Sequence, residues 1–188
     1  MSKPKLTSEQ RLEGQHHRLM MSALDFRHAL SAATFLIEDV DWENGRRTQE
    51  DRRRFKCYET SMVVSYARPF STSRGKAAPF SWKQLERAFA MSVEENSLHD
   101  MLIDARNRTY AHSDGDQSDI TASIWRTDLG EGGTFDFLSV EGGELLIFDQ
   151  AQVRAIHTFL WKVRHHIDEA VQHHPAPRDA LPVHLINA

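Results

Sequence analysis

Apolar residues return at three- and four-residue intervals through three long stretches of this chain, and that period restricts the fold more than any other feature. Leu19, Met20, Ala23, Phe26, Leu30, Ala33, Phe35, Leu36 and Ile37 make the first set, and Phe55, Tyr58, Met62, Val63, Tyr66 and Ala67 the second. Val153, Ile156, Phe159, Leu160, Val163 and Ile167 make the third. Each set is one face of an amphipathic helix, and such faces are stable only when buried against one another. A mainly α helical bundle is therefore expected. With 188 residues the chain is long enough for one core without covalent staples, so a single domain over 1–188 is expected.

Local signals place the helix ends. Thr7 with Gln10 reads as a capping box for the first helix, with a kink expected near Gly14, an end near Val40 and a stop at Gly45 in the turn DWENG. The second helix opens on Arg46, Arg47, Arg52, Arg53 and Arg54 and must end before Pro69, because the residue ahead of a proline is pushed out of helical geometry. RPFSTSRGKAAPF reads as loop, Ser81 with Gln84 as the start of a short helix to Ala90, and Ser92 with Glu95 as a second capping box. The helix that follows carries Leu98, Met101, Leu102 and Ala105 on one face. Asp149 is the expected cap of the last helix, with Pro175 beyond its end and an irregular tail over 175–188.

Past Gly115 the period changes from helical to alternating. Ile120, Ala122 and Ile124 alternate with Thr121 and Ser123, and FDFLSV and EGGELLIF follow the turn residues GEGG. A small antiparallel β-meander of two or three strands, inserted over about 120–148, is expected. One face should lie on the stripe from Val153 to Ile167, leaving the other to border a groove near His112.

The remaining composition excludes several classes. Cys57 is the single cysteine, so an internal disulfide or a cysteine-rich zinc site is ruled out, and the pattern around it predicts a small buried hydrophobe. The start has no apolar signal core and no window is long and apolar enough for a membrane span, so a cytoplasmic protein with no membrane partner is expected. The formal net charge of −4 argues against broad non-specific binding to nucleic acid but leaves room for a local basic face. The arginine run at the second helix reads first as a solvated face, with phosphate contacts as the alternative. No calcium loop, phosphate loop or dinucleotide fingerprint is present, and His16–His17, His165–His166 and His173–His174 are adjacent pairs whose side chains diverge on a helix. No metal and no cofactor are expected.

Leu98–Asp116 remains as the stretch where chemistry gathers. Arg106, Asn107 and His112 put a permanent cation, an amide and a group titrating near neutrality within seven residues. An imidazole moves protons near pH 7 and a guanidinium holds two phosphate oxygens, which suits phosphoryl chemistry. On a straight α-helix His112 points about 120° away from Arg106. The two meet only if the helix changes course near Tyr110 and Ala111, or if a second chain completes the site. Pairing of Arg106 with Asp100 or Asp104 is the competing expectation.

RNRTYAHSD, following LHDMLIDA, resembles the signature of the HEPN superfamily, in which Arg, a polar residue, several variable residues and His lie near the end of a helix. AHSD and YARPF, at Tyr66 to Phe70, resemble its abortive-infection branch. The resemblance implies a HEPN-like helical bundle, often a homodimer with two motifs facing across a groove. It further implies a metal-independent endoribonuclease, as in toxin–antitoxin or phage-defence systems, with Arg106, Asn107 and His112 catalytic. Arg46, Arg47, Arg52, Arg53, Arg54, Arg108 and Tyr110 would then touch RNA, and an antitoxin or another protein would be a partner. Asp114 stands two residues after His112, where the toxins silenced by tyrosine nucleotidylation carry Tyr, so that regulation is not expected. A non-catalytic module binding a nucleotide, RNA or a protein through the same helix end is the alternative.

Overall fold

The three stripes lie on three long helices that pack on one another, although Phe35 of the first stripe, adjacent to buried Leu36 and so turned about 100° from it, is exposed. A computed structural model of the chain describes residues 7–43, 47–71, 79–110, 118–128 and 130–175. Gly45, Arg46, His112, Asp114, Gly115, Asp116 and the tail beyond Pro175 lie outside the described residues. The chain is mainly helical with one two-stranded antiparallel sheet.

Helix α1 (Ser8–Asp39) starts at the expected Thr7 capping box and runs unbroken through Gly14. Helix α2 (Gln49–Ala67) starts one residue after Thr48, whose hydroxyl accepts from the Asp51 N–H, so Arg47 lies ahead of the helix. A 3-10 turn over Arg68–Phe70 takes Pro69 at its first turn. Helix α3 (Trp82–Phe89) is closed by Ala90 in the left-handed region at φ 46. Helix α4 (Val93–Ala105) and helix α5 (Gln150–Gln172) both begin in capping boxes, at Ser92 with Glu95 and at Asp149 with Gln152.

Helix α1 is the centre: Phe26, Ala29, Leu30, Ala33 and Leu36 are buried between α2 and α5. From α2 come Met62, Val63 and Tyr66, and from α5 all six residues of the predicted stripe, each at most 2% exposed. Cys57, expected inside, is exposed. The inward positions on either side of it belong to charged residues, Lys56 and Glu59, which periodicity would have assigned to water.

That charged pair is built in. Lys56 Nζ donates to Glu59 Oε2 at 3.0 Å and to the Leu145 carbonyl at 2.8 Å, while Glu59 Oε1 accepts the N–H groups of Ile147 and Phe148 at 2.7 and 3.0 Å. A buried charge persists only where such bonds replace its water. Here they tie the segment ahead of α5 onto α2.

The inserted sheet has the lower of the two expected strand numbers: it is an antiparallel hairpin of β1 (Ser118–Asp128) and β2 (Thr134–Glu144), with Glu141, Gly142 and Gly143 paired inside β2. Its placement departs from expectation. It does not lay an apolar face on the α5 stripe, which α1 already covers. Ile124 and Leu138 on one face, and Trp125, Phe135 and Phe137 on the other, are all exposed, and β2 approaches the bundle at α2. Among the described residues no helix is long and apolar enough to cross a membrane.

Replacing Glu59 with alanine removes the carboxylate shared by Lys56 and two backbone N–H groups, at an expected cost of about 3–5 kcal/mol of stability. Urea unfolding of Glu59→Ala beside the parent protein measures it; a loss under 1 kcal/mol would show that the clamp is dispensable.

Candidate functional site

The spacing along α4 brings His99, Leu102, Ile103 and Arg106 to one side of the helix, because residues three, four and seven apart share a face. Leu102 goes to the core, while His99, Ile103 and Arg106 line a cleft of about 440 Å³ with Asn107 at its rim. The opposite wall comes from the last residue of α2, the 3-10 turn and Ser71 after it, and the approach to and start of α3: Ala67, Phe70, Ser71, Phe80 and Trp82.

The aromatic wall is fixed from several directions. Trp82 stacks on His99 with ring centroids 3.8 Å apart and planes 4° from parallel, and its indole N–H donates to Asn96 Oδ1 at 2.7 Å. Phe70 meets His99 edge-on at 4.9 Å and Trp82 at 5.8 Å. His99 Nδ1 lies 2.7 Å from the phenol oxygen of Tyr66, sharing one hydrogen with it. Burial pushes His99 down to about 4, against a smaller upward pull from the Asp100 carboxylate, and burial raises Tyr66 well above its ordinary range. Both are neutral near pH 7. Arg18 of α1 braces the far side, donating to the carbonyls of Arg68 and Pro69 and lying 5.8 Å over the Phe80 ring.

At Arg106 the α-helix gives way to a π-helical turn over Arg106–Tyr110. Such turns are rare, change the angular step between side chains and recur at functional sites. The helix thus leaves α geometry at Arg106, while Ala111 and His112, where the change of course was expected, lie outside the described residues. Arg106 is half-buried, and its Nη1 donates to Asn107 Oδ1 at 3.0 Å. The expected competitor, Asp104, pairs with Arg108 at 2.8 Å instead. Among the described residues no carboxylate forms an ion pair with Arg106. Arg106 lines the cleft.

The other predicted residues divide. Tyr110 closes the π-helical turn, and His112 and Arg46 lie outside the described residues. Arg47 is held over the rings of Trp42 and Phe55 at 5.4 and 5.9 Å, and Arg54 pairs with Asp51 at 3.1 Å. Arg52 and Arg53 are exposed. Among the described residues, none of the α2 arginines and none of the hairpin lines the cleft, and no group of three or more His, Cys, Asp or Glu gathers as a metal site requires.

Sequence reasoning missed His99, Phe70, Phe80 and Trp82. The signal for His99 was present, since it precedes Arg106 by seven residues, two helical turns. No periodic signal exists for aromatics on a 3-10 turn and a short helix. No family model, curated protein or solved structure matches this chain.

The His99 shift predicts a pH dependence of stability. The unfolded side chain titrates near 6.5 and the folded one near 4, so between these values the unfolded chain binds a proton that the folded chain refuses. The contribution is complete above pH 6.5 and is lost as pH falls, by about 3 kcal/mol on reaching 4. Urea unfolding at about pH 7.5 and 4.5 should show His99→Gln losing about 2 kcal/mol less than the parent protein over that interval. Equal losses would contradict a neutral, buried His99.

Proposed function

We propose that the chain is a HEPN-like, metal-independent endoribonuclease. One observation carries the reading: the two segments that bear the resemblance, YARPF and RNRTY, lie about forty residues apart in sequence and meet at one cleft, where Ala67 and Phe70 face Arg106 and Asn107. The absence of a described carboxylate partner for Arg106 supports it, because a guanidinium reserved for phosphate must not be neutralised from within.

In this reading His112 takes the proton of an RNA 2′-hydroxyl, and the 2′ oxygen attacks the adjacent phosphorus. The bond from phosphorus to the 5′ oxygen breaks, leaving a 2′,3′-cyclic phosphate, and the 5′ oxygen takes up a proton from water, whose hydroxide is neutralised by the proton His112 then releases. Arg106 binds the non-bridging oxygens as their charge grows, and Asn107 orients the guanidinium through the bond from Nη1 to Oδ1. A homodimer would bring two motifs to one groove, with the exposed Arg52 and Arg53 giving phosphate contacts at its rim. The biological setting would be a toxin or phage-defence component with an antitoxin or other protein partner.

Purified protein should cleave single-stranded RNA in the presence of EDTA. His112→Ala should lower the rate by about 10²–10⁴-fold and Arg106→Ala by about 10²–10³-fold. Expression of the parent protein, but not of Arg106→Ala, should slow cell growth. Cleavage unchanged in His112→Ala would sink this mechanism. Folded protein that binds RNA without cutting it would instead identify a non-catalytic binding module.

A further inference from the structure

The cleft has more structure than a phosphate site needs. A guanidinium and an amide would hold a phosphate on an open surface, yet here they stand at the mouth of a recess walled by Phe70, Phe80, Trp82 and Ile103. A purely apolar ligand would leave Arg106 without a counter-charge among the described residues. A planar aromatic group bearing an anion satisfies both halves.

The wall is also preorganised for a flat ligand. Trp82 cannot rotate freely, with its N–H committed to Asn96 and one face on His99. Phe80 is anchored by its own N–H, which donates to the Pro69 carbonyl at 2.9 Å, and Arg18 lies over its ring. A ligand entering beside these rings orders little side-chain freedom, so stacking is gained at small entropic cost. The volume of about 440 Å³ falls within the roughly 300–1,000 Å³ of small-molecule sites. Asn107, whose Oδ1 accepts from Arg106, lines the same cleft and carries an N–H₂ group able to donate.

We infer that this cleft is a subsite for one nucleobase of a single-stranded RNA, stacked beside Phe80 and Trp82, with the phosphate of the same nucleotide on Arg106. The choice of RNA rests on the endoribonuclease reading; the base and phosphate rest on the cleft itself. The neutral His99 keeps a second positive charge away from the stacked base, so selectivity comes from stacking and from hydrogen bonds at Asn107. The subsite would set which nucleotide stands next to the cleaved bond.

The test uses the full chain and separates base from phosphate. Isothermal titration with AMP, UMP, ribose 5-phosphate and inorganic phosphate should rank both nucleotides at least about tenfold tighter than ribose 5-phosphate, as expected for one stacked base. Phe80→Leu should weaken AMP and UMP about tenfold while leaving ribose 5-phosphate unchanged, and Arg106→Ala should weaken all three organic phosphates. Ribose 5-phosphate binding as tightly as AMP would overturn the base subsite, and this ligand comparison decides the matter even if Phe80→Leu fails to fold. A 2′-O-methylated oligonucleotide, which cannot be cleaved, should compete with AMP; AMP binding without such competition would overturn RNA as the source of the base. Cleavage is read separately. Nucleotide binding and competition with no RNA cutting would refute the endoribonuclease and leave the subsite standing, whereas RNA cutting with no nucleotide binding would do the reverse.

Discussion

The buried carboxylate of Glu59 is the point from which the arrangement of this chain follows. By accepting from Lys56 and from the backbone N–H groups of Ile147 and Phe148, it fixes the segment between hairpin and α5 against α2. The position of α5 is then set. Phe159 of α5 packs 5.7 Å from Tyr66 of α2, Tyr66 reaches His99, and His99 carries Trp82. Core and cleft are thus two ends of one chain of contacts. Lys162 of α5, which donates to Glu95 at 2.6 Å, holds the start of α4 to the same scaffold.

Polar groups inside the bundle give direction where apolar packing alone would not. Leucine and isoleucine fill volume with little angular preference, whereas the Tyr66–His99 bond and the Trp82–Asn96 bond each admit one orientation. The result is a rigid aromatic wall opposite a helix end that leaves α geometry at Arg106. Rigidity on one side and, on the other, a cation with no ion pair among the described residues are features that suit a flat anion.

Much of the bundle was legible in the sequence because local signals and buried faces agreed. The capping boxes at Thr7 and Ser92 and the cap at Asp149 stand where their patterns placed them, and all six residues of the α5 stripe are buried. Reading failed where a tertiary partner reversed a local preference. Lys56 and Glu59 look like surface residues until Leu145, Ile147 and Phe148 arrive to bond them, and with that inward turn Cys57 is left outside. The hairpin misled for the opposite reason: its alternating pattern demands a partner face, but α1 already covers the α5 stripe, so Ile124, Trp125 and Leu138 stay exposed. Arg106 and Asn107, singled out from chemistry on one helix, both line the cleft, while His112 lies outside the described residues. The wall opposite them was invisible, because Phe70, Phe80 and Trp82 converge from separate segments with no shared period.

A crystal structure of the protein with a short 2′-O-methylated RNA tests the central claim most directly, since it reads phosphate and base positions together. The account predicts a phosphate oxygen within about 3 Å of an Arg106 nitrogen and the adjoining base beside Phe80 and Trp82. RNA bound only along the exposed Arg52 and Arg53, with the cleft vacant, would contradict it.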